Sequence, residues 1–184
     1  MKLLRTIRLD PSDTFVFERA AESGEWAVSG AFMFSGADAD ALAGKPRAAF
    51  RSGFLGVPSL GWSTLVQIVE ASEADRAALV ETLAHEFKAQ LGAPDAAAAR
   101  AAAEEEVAFA ASLCDQPRDT LIAVRRTCEG GTFREAFRTL RSRGERKPMR
   151  AFSLVEVEGE GEDQHEGGEV IDIVELVKSR RDQS

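Results

Sequence analysis

A chain of 184 residues, 44% apolar and 29% charged, has the size and make-up of one ordinary soluble domain, long enough to bury a core without disulfide or metal support. Its formal net charge of −8 argues against nucleic acid as the main partner, because phosphate binding needs a dominant positive field. It contains no apolar run of the roughly 18–20 residues that span a bilayer.

In chain order, residues 2–9 predict a strand carrying Leu3, Leu4, Ile7 and Leu9. The cluster Asp10-Pro11-Ser12-Asp13 predicts a turn, after which residues 14–17 restart an extended segment. Glu22-Ser23-Gly24 reads as a hairpin loop before a second, antiparallel strand over residues 26–34. A short helix is expected from Asp38 to about Phe50, ended or kinked near Lys45 by Pro46. Residues 53–61 read as a glycine-spaced apolar loop, and residues 62–70 as a buried strand.

Ser72-x-x-Asp75 opens a helix as a capping box, with Leu79, Val80, Leu83, Phe87 and Leu91 recurring on one face. Gly92 and Pro94 close it, and Asp95 caps an alanine-rich second helix that runs to Leu113. So short a connection predicts an antiparallel helical hairpin. Residues 120–124 form a strand and Glu129-Gly130-Gly131 a turn. Residues 132–140 fit either a short helix or an alternating strand, and the Gly-Gly turn favours the strand. A last strand is expected over residues 149–157.

Residues 159–168, glycine and acid without apolar content, make a linker, and residues 169–184 an amphipathic helix. The expected fold class is α+β: a largely antiparallel sheet covered by a helical hairpin over residues 1–158, followed by a flexible acidic C-terminal tail.

Charge is segregated along this chain. Residues 1–118 hold 11 basic and 17 acidic groups, residues 119–150 hold 9 and 4, and residues 151–184 hold 3 and 10. The arginine block over residues 125–150, which includes Arg125, Arg126 and Arg138, suits carboxylate or phosphate recognition, because a guanidinium donates two parallel hydrogen bonds. An intramolecular contact with the acidic tail is the plainer alternative. In the terminal helix Val170, Ile173, Val174 and Val177 share one face, an anchoring stripe of the kind that docks into a groove.

Motifs for chemistry are few. His85-Glu86-Phe87-Lys88-Ala89 lacks the second histidine of a zinc-protease helix, so His85 reads as a solvated side chain. His165 stands alone in the linker. Glu104-Glu105-Glu106 lacks the Glu-x-x-His partner of a di-iron bundle and reads as a solvated run. Cys114, at a helix C-terminus beside Asp115, suits an inert thiol, and Cys128, after Arg125 and Arg126, is the better thiolate candidate. Two cysteines, with Arg5, Arg8 and Asp10 interrupting any leader-like stretch, point to a reducing, cytoplasmic compartment. The 53–61 loop has neither a P-loop nor a dinucleotide fingerprint, but Gly53, Phe54, Gly56, Gly61 and Trp62 could let a ligand approach the backbone closely. No metal site and no cofactor is expected.

The run from Lys2 to Asp10, with Phe15-Val16-Phe17, Trp26-Ala27-Val28, Phe50-Arg51-Ser52-Gly53-Phe54-Leu55-Gly56 and Gly61-Trp62-Ser63-Thr64-Leu65-Val66, resembles an uncharacterised bacterial protein family of unknown function over most of residues 1–157. The resemblance implies no catalytic residues. In kind it is similar to small accessory proteins encoded beside molybdenum-dependent formate dehydrogenase machinery. The function expected is a non-enzymatic cytoplasmic accessory or adaptor protein with a protein partner. Ligand binding at the 53–61 loop, and anion or RNA binding by the arginine block, are the alternatives.

Overall fold

A computed structural model describes residues 1–140. The strand expected at 149–157, the linker and the terminal helix lie outside the described residues. The described fold is α+β, in the order β1 (Lys2–Ile7), α1 (Ser12–Val16), β2 (Trp26–Val28), a 3₁₀ turn (Ala31–Phe34), α2 (Gly44–Ser52), β3 (Phe54–Gly56), β4 (Gly61–Ser63), β5 (Leu65–Glu70), α3 (Glu73–Ala89), α4 (Ala96–Ser112), β6 (Leu121–Glu129) and β7 (Thr132–Leu140).

The seven strands form one antiparallel sheet, ordered β4-β3-β2-β1-β5-β6-β7. β4 and β5 are consecutive, with only Thr64 between them, yet β4 pairs with β3 at the edge while β5 lies between β1 and β6. In a flat sheet they would stand four strand spacings apart, about 19 Å. A single residue reaches about 3.6 Å. The sheet therefore curls until β4 returns beside the start of β5. Asp13 secures this corner: buried, it accepts from the Thr64 backbone N–H at 3.2 Å and from Thr64 Oγ1 at 2.9 Å.

The register sorts the side chains. Leu4 stands opposite Ala27 and Ile68, Val66 opposite Ile122, and Val124 opposite Phe137, so all share one face. The α3–α4 hairpin covers it with Leu79, Val80, Leu83 and Phe87 from α3 and Ala99, Ala103, Val107 and Ala110 from α4. The alanine stripe lets α4 lie close to β1 and β2. Both expected caps form: Ser72 and Asp75 make a reciprocal capping box, and the Asp95 carboxylate accepts from Ala98 N–H at 2.8 Å. A second cluster, Phe17, Phe34, Ala39, Ala49 and Phe50, surrounds α2.

Several local expectations are corrected. Residues 14–16 are not extended; the Pro-Ser-Asp sequence winds α1 through Val16, with Thr14 N–H bonded to the Pro11 carbonyl at 3.1 Å, and of the expected segment Phe17 alone is extended. The second strand stops at Val28, because Gly30 at φ +79° turns the chain into the 3₁₀ turn. The short helix begins at Gly44, and Pro46 neither ends nor kinks it. Pro46 sits in the first turn, where its missing N–H would have had no intrahelical partner. The 53–61 loop is a β3–β4 hairpin, and the strand expected over 62–70 is split at Thr64. Residues 132–140 are a strand: Gly130 (φ +57°) and Gly131 (φ +77°) supply the two positive φ values that a two-residue hairpin turn requires.

Candidate functional site: the β6–β7 ribbon

The 130–131 turn fixes the ribbon's register, pairing Arg126 with Glu135, Arg125 with Ala136, Thr127 with Arg134 and Ala123 with Arg138. Alternation does the rest. Ile122, Val124, Arg126, Phe133, Glu135 and Phe137 fall on the inner face, and Arg125, Thr127, Arg134, Ala136 and Arg138 on the outer, exposed one.

On the inner face Arg126 is 1% exposed and all its donors are used. Nε donates to Glu135 Oε1 at 2.6 Å, and Nη1 to the carbonyls of Phe50 at 3.0 Å and Gly53 at 2.7 Å. Nη2 donates to the Ser29 carbonyl and, at 3.1 Å, to Ser29 Oγ. Ser29 Oγ donates to Glu135 Oε1 at 2.5 Å. One guanidinium thus ties β6 to β7, to the end of α2 and to the turn after β2. Burial pushes its pKa down, opposed by Glu135 and Glu106.

Glu106 of α4 faces this pair. Its carboxyl is pushed up to about 7, by burial first and then by the Glu135 and Glu105 charges, with Arg126 partly offsetting them. The reading of 104–106 as a uniformly solvated run is thereby corrected. Glu104 and Glu105 are exposed, whereas Glu106 is half-buried.

The outer face is the opposite environment. Arg134 and Arg138 are four residues apart on one strand, about 13–14 Å, with Arg125 across the ladder between them. Ala123, Ala136 and Thr127 are the small residues opposite them, so the three guanidiniums stand uncrowded. Arg134 Nε meets Glu129 Oε2 at 3.0 Å, while Arg125 and Arg138 form no ion pair among the described residues. Arg126, expected to act with Arg125 and Arg138, belongs to the scaffold: its head group is sealed from solvent.

The remaining candidates separate in space. At Gly53 an added Cβ would lie 2.6 Å from the Trp62 ring, and at Gly61 2.7 Å from the Ala20–Ala21 backbone. At Gly56 it would lie 2.5 Å from Glu25 Oε2, and Phe54 is fully buried against Phe137. The close approach these glycines permit is made by the protein's own chain. Cys114 is buried, and burial foremost pushes its thiol up to about 11. Cys128 is half-buried and His85 exposed. Among the described residues no three His, Cys, Asp or Glu side chains converge to hold a metal, and no helix is long and apolar enough to cross a membrane. Val170, Ile173, Val174, Val177 and His165 lie outside the described residues. Asp13, Ser29, Glu106 and Glu135 are the polar residues that pattern reading missed.

A family model described as a family of unknown function (DUF6505) matches residues 1–155. The chain belongs to that family. No curated protein and no solved structure matches it. The stretch shared with this family of unknown function takes in the curled sheet, the helical hairpin and the whole ribbon, both its sealed arginine and its open ones.

Proposed function

We propose that this protein is a non-enzymatic, cytoplasmic accessory protein that holds an acidic partner protein on the outer face of the β6–β7 ribbon. The observation that carries this reading is the clustering of Arg125, Arg134 and Arg138 on one exposed face with only small residues opposite them. Guanidinium forks presented from a rigid ladder suit surface carboxylates, and the small neighbours let a partner approach. The stripe Val170, Ile173, Val174 and Val177 is the second contact in this proposal. On the resemblance in kind to accessory proteins encoded beside formate dehydrogenase machinery, the proposal takes the partner to be a subunit or maturation factor of a larger enzyme.

The test is native affinity purification of the full chain with mass spectrometry, beside Arg125→Glu/Arg134→Glu/Arg138→Glu and a chain lacking residues 159–184. The proposal expects the triple reversal to lose the co-purifying protein while unfolding at the parent's urea midpoint. It expects the truncation to weaken capture. Equal capture by the triple reversal contradicts it. Retention of RNA on filters that falls steeply with salt would transfer the face to the nucleic-acid alternative. Ligand binding at residues 53–61 draws no support from this geometry, since Trp62 and the Ala20–Ala21 backbone fill the glycine gaps.

A further inference from the structure

β5 begins at Leu65, opposite Ala123, so beyond that point β6 has no strand on that side among the described residues. α2 lies against it instead. Between them is a solvent-open cleft of about 220 Å³, lined in part by Asp40, Arg47, Phe50, Arg51, Arg126 and Cys128.

Its charge has a direction. Arg47 and Arg51 are one helical turn apart on α2, a spacing that puts their Cβ atoms about 5–6 Å from each other. Both are exposed, and among the described residues neither makes an ion pair. Arg126 beneath them contributes no free donor, and Glu135 balances its charge. Against the two open guanidiniums stands one carboxylate, Asp40, leaving the mouth net positive. The cleft has room for several waters or a small ligand in their place. That is large enough for a phosphate group or a small dicarboxylate.

The geometry points to a binding site for a small oxyanion. Arg47 and Arg51 donate to the phosphate or carboxylate oxygens, Phe50 supplies the apolar wall, and Asp40 accepts from a hydroxyl or ammonium on the same ligand. The cleft reaches Thr127 of the ribbon's outer face, but none of Arg125, Arg134 and Arg138 lines it, and the proposal does not rest on what those three hold.

Cys128 in the cleft wall provides the readout, with buried Cys114 as the internal control. The full-length reduced protein is alkylated with iodoacetate or iodoacetamide, reagents that differ in charge, and each cysteine is followed by peptide mass spectrometry. At low salt the iodoacetate-to-iodoacetamide rate ratio at Cys128 should fall about threefold to tenfold in Arg47→Gln/Arg51→Gln, as expected for removing two surface charges. The iodoacetamide rate and the protection of Cys114 should not change. Millimolar inorganic phosphate or malonate should slow iodoacetate at Cys128 in the parent and not in the variant. Slowing by phosphate alone assigns a phosphate ligand, by malonate alone a carboxylate, and by both the shared oxyanion chemistry. An unchanged ratio in the double variant, or no slowing by either anion, overturns the proposal. If Cys128 resists both reagents, phosphate titration followed on the Arg47 and Arg51 Nε–H NMR signals decides: saturable shifts support the site, and none overturns it.

Discussion

The two faces of the β6–β7 ribbon use one residue type in opposite ways. Inside, Arg126 is sealed, and its donors hold a glutamate, a serine and three main-chain carbonyls. Outside, among the described residues, Arg125, Arg134 and Arg138 share a single ion pair, Arg134 with Glu129. Arg125 and Arg126 are adjacent in sequence and differ only in which way the pleat turns them. A count of basic residues therefore carries no function by itself; over residues 121–140 the period of two divides the arginines into a structural bolt and an exposed surface.

The largest effect that could break this comparison is loss of the bolt. Arg126→Met leaves the Glu135 carboxylate without its cation and the carbonyls of Ser29, Phe50 and Gly53 without the guanidinium donor, and should cost about 3–5 kcal/mol in urea unfolding. Arg126→Met/Glu135→Leu should recover a large part of that loss, because the buried carboxylate goes with its partner. A double variant as unstable as the single would mean that the pairing is not what the site needs.

Next comes the corner that closes the curl. Gly61→Ala places a Cβ 2.7 Å from the Ala20–Ala21 backbone, which cannot rotate away, and should cost about 1–3 kcal/mol. An unchanged midpoint would show that the inner scaffold yields more easily than its contacts imply.

Glu106 sharpens the comparison through pH. Its folded pKa, about 7, lies above its ordinary 4.5, so the folded state holds the proton more tightly. Stability from this group is fully present below pH 4.5 and is lost as pH rises towards and through 7. Glu106→Gln should therefore stabilise the protein at pH 8 by about 1–2 kcal/mol, allowing for solvent screening of a half-buried group. Near pH 4 it should change little. Parallel midpoint-versus-pH curves for the two proteins would contradict the burial argument.

The smallest expected effect is on the outer face. Arg125→Ala should leave stability within about 0.5 kcal/mol of the parent, because its head group holds no partner among the described residues.

The sequence legibly specifies the elements whose signals are local. Ser72 with Asp75 and Asp95 mark their helix starts, and Gly130-Gly131 decides strand over helix for Thr132–Leu140. The curl is not legible, because it depends on Thr64 meeting Asp13, 51 residues away, and on β4 changing neighbours after one residue. Pro46 misleads because helix-breaking is a property of the helix interior, and the chain places it in a first turn. The position of Arg126 was within reach. It has the parity of Ile122 and Val124, the buried side of the strand, and pairs across the turn with Glu135, which has the parity of Phe133 and Phe137. Reading residues 125–150 as a charge block hid that alternation.

The division between adjacent arginines is tested most directly by phenylglyoxal labelling of the native protein, with modification at each arginine followed by peptide mass spectrometry. The account predicts rapid labelling of Arg125 and Arg138, while Arg126 stays unmodified until urea unfolds the chain. Equal native labelling rates at Arg125 and Arg126 would contradict it.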